Sequence, residues 1–195
     1  MSNDVEARLA FEPLVRRVWA MPSPQTFSVM PIKTLVEGCL SKTPGVSFDP
    51  FARDAMYATY RNDINPATAA QYHMDAYEFL LHMEEQGHKP ALVLFDPPYS
   101  PRQAADCYAA AGVDPKELDA VRKRKGNAWQ WTKNWSEEKD AIARMQYPGG
   151  VVLSFGWDSN GMGKKRGYQI EEILLVCHGA CHNDTICTVE RHLAA

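Results

Sequence analysis

Asp96-Pro97-Pro98-Tyr99 puts an acid, two imino acids and an aromatic in four consecutive positions. The Asp96 carboxylate can accept hydrogen bonds and the Tyr99 ring offers a planar face. Proline fixes φ and removes the backbone donor, so the turn is stiff and a poor choice for packing alone. Three more acids, Asp49, Asp63 and Asp75, fall at or just after other strand ends expected from the sequence. With one acid per strand, all four should line up along one edge of a sheet. A carboxylate beyond the second strand is placed to accept from ribose hydroxyls, as in dinucleotide folds. Each of the three also has a structural use: Asp75 as a helix N-cap, Asp63 as a strand terminator, Asp49 as a brace before Pro50.

The elements that must position these groups follow from period and punctuation. Ala91 to Phe95 is an unbroken apolar run, which predicts a short strand buried on both faces. Ser100-Pro101-Arg102-Gln103 then carries an N-cap, a first-turn proline and a capping-box glutamine, predicting a helix from Pro101 to Ala111. Upstream, the pattern predicts a helix within Val5 to Val18 and another from Pro31 to Gly38. Short strands are expected at Val46 to Phe51, Met56 to Arg61 and around Tyr72, with a helix from Asp75 to Gln86. Downstream, helices are expected from Asp114 to Gly126 and from Ser136 to Met145. A strand follows at Val151 to Phe155, then two more, Gln169 to Cys177 and Asp184 to Val189, joined by a turn. Alternating strands and helices closed by a hairpin imply an α/β fold. Its sheet should be mostly parallel and seven-stranded, with one antiparallel strand in the C-terminal hairpin.

Length and composition set the bounds. At 195 residues and 45% apolar content, the chain fits one globular domain with a sizeable core. No apolar run reaches the roughly 20 residues of a membrane helix, so no membrane partner is expected. Five cysteines without an export signal suggest reduced thiols and a cytoplasmic location. The net charge of −3 does not announce a nucleic-acid binder. Its distribution says more: 9 basic and 14 acidic residues up to Pro115, against 12 basic and 10 acidic from Lys116 onward. Arg122-Lys123-Arg124-Lys125 and Lys164-Lys165-Arg166 are local patches suited to phosphate contact, or to simple solvation.

Between Thr26 and Glu190 the chain resembles S-adenosylmethionine-dependent DNA adenine N6-methyltransferases, specifically the small single-domain kind of phages and prophages. Asp96-Pro97-Pro98-Tyr99 matches their catalytic motif. Phe27 to Lys33 resembles the segment that reaches the cofactor's methionine carboxylate, with Lys33 as the contact. Phe48-Asp49-Pro50-Phe51-Ala52 resembles the first cofactor motif, Asp63 the ribose acceptor, and Asp75-Ala76 the motif that reads the cofactor's adenine. The family continues its first motif as Asp-Pro-Phe-x-Gly-x-Gly, whereas Arg53 and Asp54 stand here without a glycine nearby.

The resemblance implies a Rossmann-like class I methyltransferase fold. Residues 1–26 would be an extension and residues 100–145 a helical insert concerned with substrate recognition. It also implies a reaction. Asp96 and the Pro97 carbonyl would accept hydrogen bonds from an exocyclic amine, restoring nucleophilicity to a lone pair otherwise delocalised into the ring. Tyr99 would stack on the extruded base. DNA is the expected partner, RNA a lesser one, and a homodimer is open. Methylation of RNA or of another planar amine or amide is an alternative, as is a nucleic-acid-binding subunit that has lost catalysis.

Three stretches remain. Trp129, Trp131 and Trp135, interleaved with cations, suit a nucleic-acid strand, or can pack helices onto the sheet. Gly161-Met162-Gly163-Lys164-Lys165-Arg166-Gly167 fits no phosphate-loop spacing and is expected to contact DNA backbone. Cys177-His178-Gly179-Ala180-Cys181-His182 lies near a haem-attachment pattern but has an extra residue between its cysteines. It is read as a hairpin turn without metal.

Overall fold

A computed structural model describes residues 12–112, 135–179 and 182–193. The strands are β1 (Leu14–Trp19), β2 (Ser47–Asp49), β3 (Tyr60–Arg61), β4 (Leu92–Phe95), β5 (Val151–Gly156), β6 (Tyr168–Cys177) and β7 (Thr185–His192). The described α-helices are α1 (Met30–Lys42), α2 (Ala76–Glu85), α3 (Pro101–Ala110) and α4 (Ser136–Met145). The strands form one sheet in the order β1-β6-β7-β5-β4-β2-β3. Only β7 runs against the others, pairing antiparallel with both β5 and β6. The expected mostly parallel sheet closed by a reversed hairpin strand is therefore the one observed.

Strand alternation divides the core in two. Val93 and Phe95 of β4, with Val152 of β5, face α2, α3 and α4 through Phe79, Leu80, Ala104 and Ile142. Leu92 and Leu94, with Val151, Leu153 and Phe155, face α1 through Ile32, Leu35 and Val36. Both faces of β4 are covered, so the strand reads as an unbroken apolar run. Each fully buried Leu, Ile or Phe contributes about 1.5–3 kcal/mol from leaving water.

Several expectations need correction. Leu14–Trp19 is a strand rather than the end of a helix. Pro13 would have stood inside that helix, where it removes a hydrogen bond and clashes with the preceding turn. The segment pairs parallel with β6 along its otherwise open edge, and Arg16 forms an ion pair with Glu172. The strand expected over Met56 to Arg61 is confined to Tyr60–Arg61. Before it, the Thr59 amide and hydroxyl bond the Ser47 side chain and amide in place of a ladder. The strand expected near Tyr72 is one parallel bridge to Asn62. The sheet thus has the expected seven strands, with β1 taking the place of Tyr72. Helix α1 runs past Gly38 to Lys42. A mid-helix glycine costs about 1 kcal/mol, and packing of Cys39 and Leu40 against the core offsets it.

Among the described residues, no helix is long and apolar enough to cross a membrane.

Candidate active site

The carboxyl ends of β2, β3 and β4 meet at one edge. Asn62 brackets this edge from below. Its amide nitrogen donates to the Pro50 carbonyl at 3.0 Å and the Met74 carbonyl at 2.9 Å. Its oxygen accepts from the Met74 amide at 3.1 Å. Fully buried, Asn62 replaces with side-chain bonds the ladder that the third strand lacks. Sequence reasoning assigned it no role, although a buried asparagine between two strand ends is suited to such a bracket.

Asp96 follows β4 directly. Tyr99 folds back and donates its hydroxyl to Asp96 Oδ1 at 2.6 Å. Burial pushes the Asp96 carboxyl above its ordinary range, opposed by hydrogen bonds from Tyr99 and Thr26 and by the charge of Arg53. Burial, then the Asp96 charge, also pushes the Tyr99 phenol up, so it is a proton donor at neutral pH. The Tyr99 ring stands edge-on to Trp157, with centroids 5.8 Å apart.

The turn is braced on both sides. The Gln103 side-chain oxygen accepts from the Tyr99 amide at 2.8 Å, and Ser100 Oγ accepts from the Gln103 amide at 3.2 Å. The capping box read from sequence is present, shifted so that glutamine holds Tyr99. Trp135, just before α4, donates its indole nitrogen to the Pro98 carbonyl at 3.3 Å and packs edge-on against Phe51. The expected alternative for the tryptophans, packing, describes Trp135. Arg122, Lys123, Arg124, Lys125, Trp129 and Trp131 lie outside the described residues.

A cleft of about 480 Å³ opens at this edge, within the usual range for small-ligand sites. Phe27, Lys33, Phe51 and Ala52 line it, together with Asp96. Arg53 also lines it and takes φ 51°, the left-handed conformation that costs an L-residue about 1–2 kcal/mol. Arg53 occupies the place of the first glycine in the resembled motif. The backbone there takes a conformation that glycine adopts most readily. Two bonds hold it: the Arg53 amide donates to Asp63 Oδ2 at 3.1 Å, and the guanidinium donates to the Pro24 carbonyl.

The other expected cofactor residues, Asp49, Pro50, Asp63, Asp75 and Ala76, do not line the cleft. Asp49 is fully buried, and its Oδ1 accepts from the Phe51 amide at 3.1 Å. Its Oδ2 has no hydrogen-bond partner among the described residues. Burial raises the Asp49 carboxyl well above its ordinary range, and the charges of Asp96 and Asp63 add to this. Asp63 accepts from the amides of Arg53 and Asn65, and burial raises it too. Asp75 caps α2 by accepting from the Tyr77 amide at 2.9 Å and takes the Tyr108 hydroxyl at 2.7 Å. These bonds tie α3 to α2, the structural use available to that acid. Pro50 and Ala76 are buried packing positions.

Arg166, expected on DNA backbone, is used internally: it bonds Asp140 at 2.6 Å, Ser136 Oγ at 2.8 Å and the Met162 carbonyl at 2.9 Å. A guanidinium with five donors is suited to stitching a loop to a helix. The loop is also drawn in by Glu190, which accepts from the Met162 and Gly163 amides. Gly161 adopts φ +48°, and a Cβ there would stand 2.1 Å from Glu190 Oε2, so another residue would strain the backbone and displace the Glu190 carboxylate. Lys164 and Lys165 remain exposed. His178 is a satisfied core histidine, bonded to the Ala20 carbonyl at 2.8 Å and Thr185 Oγ1 at 2.9 Å.

No protein-family model matches the chain, and no curated protein matches it. Solved structures do. TrmN from Thermus thermophilus superposes with TM-score 0.52 at 13% identity, covering 85% of this chain and 49% of its own. The methyltransferase assigned as SMU.776, complexed with SAH, gives 0.52 at 9% identity, covering 82% and 48%. A protein from Streptococcus mutans described as a SAM-dependent methyltransferase gives 0.50 at 9%, covering 80% and 48%. The chain spans about half the length of these structures. What it shares with them is the Rossmann-like fold of the S-adenosylmethionine-dependent methyltransferases.

Proposed function

We propose that the chain transfers a methyl group from S-adenosylmethionine to an exocyclic amine, with adenine N6 in DNA as the acceptor. The observation that carries this reading is that Asp96 lines the same cleft as Phe27, Lys33 and Phe51. The residues suit the cofactor's charges. Lys33 offers an ammonium to a carboxylate. Burial, and then the charges of Asp96 and Asp63, raise the Asp49 carboxyl, and the three acids together favour a guest carrying cationic groups. The unpartnered Asp49 Oδ2 is an acceptor awaiting a donor. When bound, S-adenosylmethionine supplies an electrophilic methyl group on a sulfonium.

The chain's own groups do the rest. Asp96 accepts a hydrogen bond from one N–H of the amine and the Pro97 carbonyl from the other, turning the lone pair out of conjugation. The nitrogen–carbon bond forms as the carbon–sulfur bond breaks, and the nitrogen then sheds a proton. A carboxylate raised by burial is the stronger base for it. No covalent intermediate on the chain is required. Retention of the left-handed turn at Arg53 supports a working cofactor loop over a degenerate one. Exposed Lys164 and Lys165 offer charge to a phosphate backbone.

The test is to incubate the full chain with labelled S-adenosylmethionine and either DNA or RNA, then digest and identify the modified base by mass spectrometry. N6-methyladenine in DNA is expected. Label confined to RNA, or to no nucleic acid, overturns the acceptor assignment.

A further inference from the structure

A second cleft, of about 320 Å³, lies on the other side of Tyr99. Tyr99, Gln103 and Trp157 line it, with His178, His182 and Asn183 from the β6–β7 turn. Thr26 lines both clefts, and Asp96 lines only the first. Tyr99 therefore stands between the second cleft and Asp96. The stretch around His178 supplies one wall.

The chemistry of the walls is specific. Trp157 is 43% exposed and edge-on to Tyr99, so an aromatic face is open to a planar guest. Gln103 spends its oxygen on the Tyr99 amide, and its amide nitrogen makes no hydrogen bond among the described residues. That nitrogen is a donor for a ring nitrogen or carbonyl. His178 has both ring nitrogens bonded and serves as a fixed wall rather than a base. An aromatic face with a few placed polar groups is what a heterocycle site needs.

The Tyr99 hydroxyl, meanwhile, makes with Asp96 the bond an acceptor amine must make: a neutral donor to Oδ1 at 2.6 Å.

We infer that the second cleft receives the planar ring of the acceptor, and that the Tyr99–Asp96 hydrogen bond is the closed state of the gate between that cleft and the methyl donor. This rests on the amine-acceptor reading of Asp96 and adds the route by which the ring arrives. Opening releases Asp96 Oδ1 and frees the Tyr99 ring for the guest.

The probe is the deoxynucleoside of 2-aminopurine, whose fluorescence falls on stacking, titrated into the full chain with S-adenosylhomocysteine present. W157A and Q103A should weaken binding, the former at least about fivefold by loss of a stacking partner. W157F should retain it, and thermal melts confirm that the variants fold. K42A, at the exposed end of α1 and outside both clefts, should leave nucleoside affinity unchanged. Y99F, which removes the gate's bond, should tighten binding about two- to tenfold. Equal affinity in wild type, W157A and Q103A, or no binding by the wild type, overturns the site. Unchanged or weaker binding by Y99F overturns the gate. Because binding is read without methyl transfer, these results are separable from failure of the proposed reaction.

Discussion

The indole nitrogen of Trp135 donates to the Pro98 carbonyl at 3.3 Å, which ties the start of α4 to the middle of the Asp96–Tyr99 turn. The bond crosses 37 residues of sequence and leaves the second proline no freedom to drift. Trp135 itself holds φ 50°, a conformation that persists only where surrounding structure enforces it. W135F should keep the ring packing against Phe51 and lose the bond. We expect methyl transfer to fall about tenfold while stability falls by about 1 kcal/mol. Single-turnover rates set beside denaturant unfolding will separate the two.

Arg53 gives a second prediction. R53A and R53G both lose the guanidinium bond to the Pro24 carbonyl. They differ in the strain of the left-handed backbone. R53G should be about 1 kcal/mol more stable than R53A. Equal urea midpoints would mean that the turn is not strained.

Asp49 links stability to pH. Burial raises its folded-state pKa above the ordinary value of 3.8. The unfolded state therefore ionises first as pH rises. The favourable contribution of the protonated folded carboxyl is full below that value and is lost as pH climbs through the folded pKa. D49N should flatten this decline, giving a stability profile less dependent on pH above 3.8 than wild type, while cofactor affinity weakens. Melting temperatures over a pH series, with calorimetric titration of S-adenosylhomocysteine, provide the check.

The basic loop divides into a structural cation and two free ones. R166A should destabilise the fold by about 1–3 kcal/mol, because it removes bonds to Asp140, Ser136 and Met162. K164A and K165A should leave stability within about 0.5 kcal/mol. If the loop meets DNA, each should reduce the salt slope of binding by about one. An unchanged slope would remove the loop from the DNA interface.

The readable parts of the fold were those governed by local pattern. Leu92–Phe95 is buried on both faces and had to be continuously apolar; Ser100, Pro101 and Gln103 carry their capping chemistry in their identities. What stayed hidden depends on partners distant in sequence. Leu14–Trp19 is a strand because β6 offers it an edge, and Pro13 was the local warning. Tyr72 is one bridge because Asn62 does the work of a strand. Arg166 looks like any loop cation until Asp140 is known to lie opposite it. Arg53 obscured a glycine conformation that the backbone retains. The second cleft is made by residues from four separate stretches, which no spacing rule joins.

The central claim is that Asp96 prepares an amine for methylation, and D96A tests it most directly. The Asp96 carboxyl lies above its ordinary value of 3.8, so wild-type transfer should fall on the acid side through an apparent pKa higher than that. D96A should still bind S-adenosylhomocysteine, and methyl transfer to adenine-containing DNA at saturating cofactor should drop at least about a thousandfold, with the acid limb gone. A D96A chain that still methylates adenine within tenfold of wild type would contradict the account.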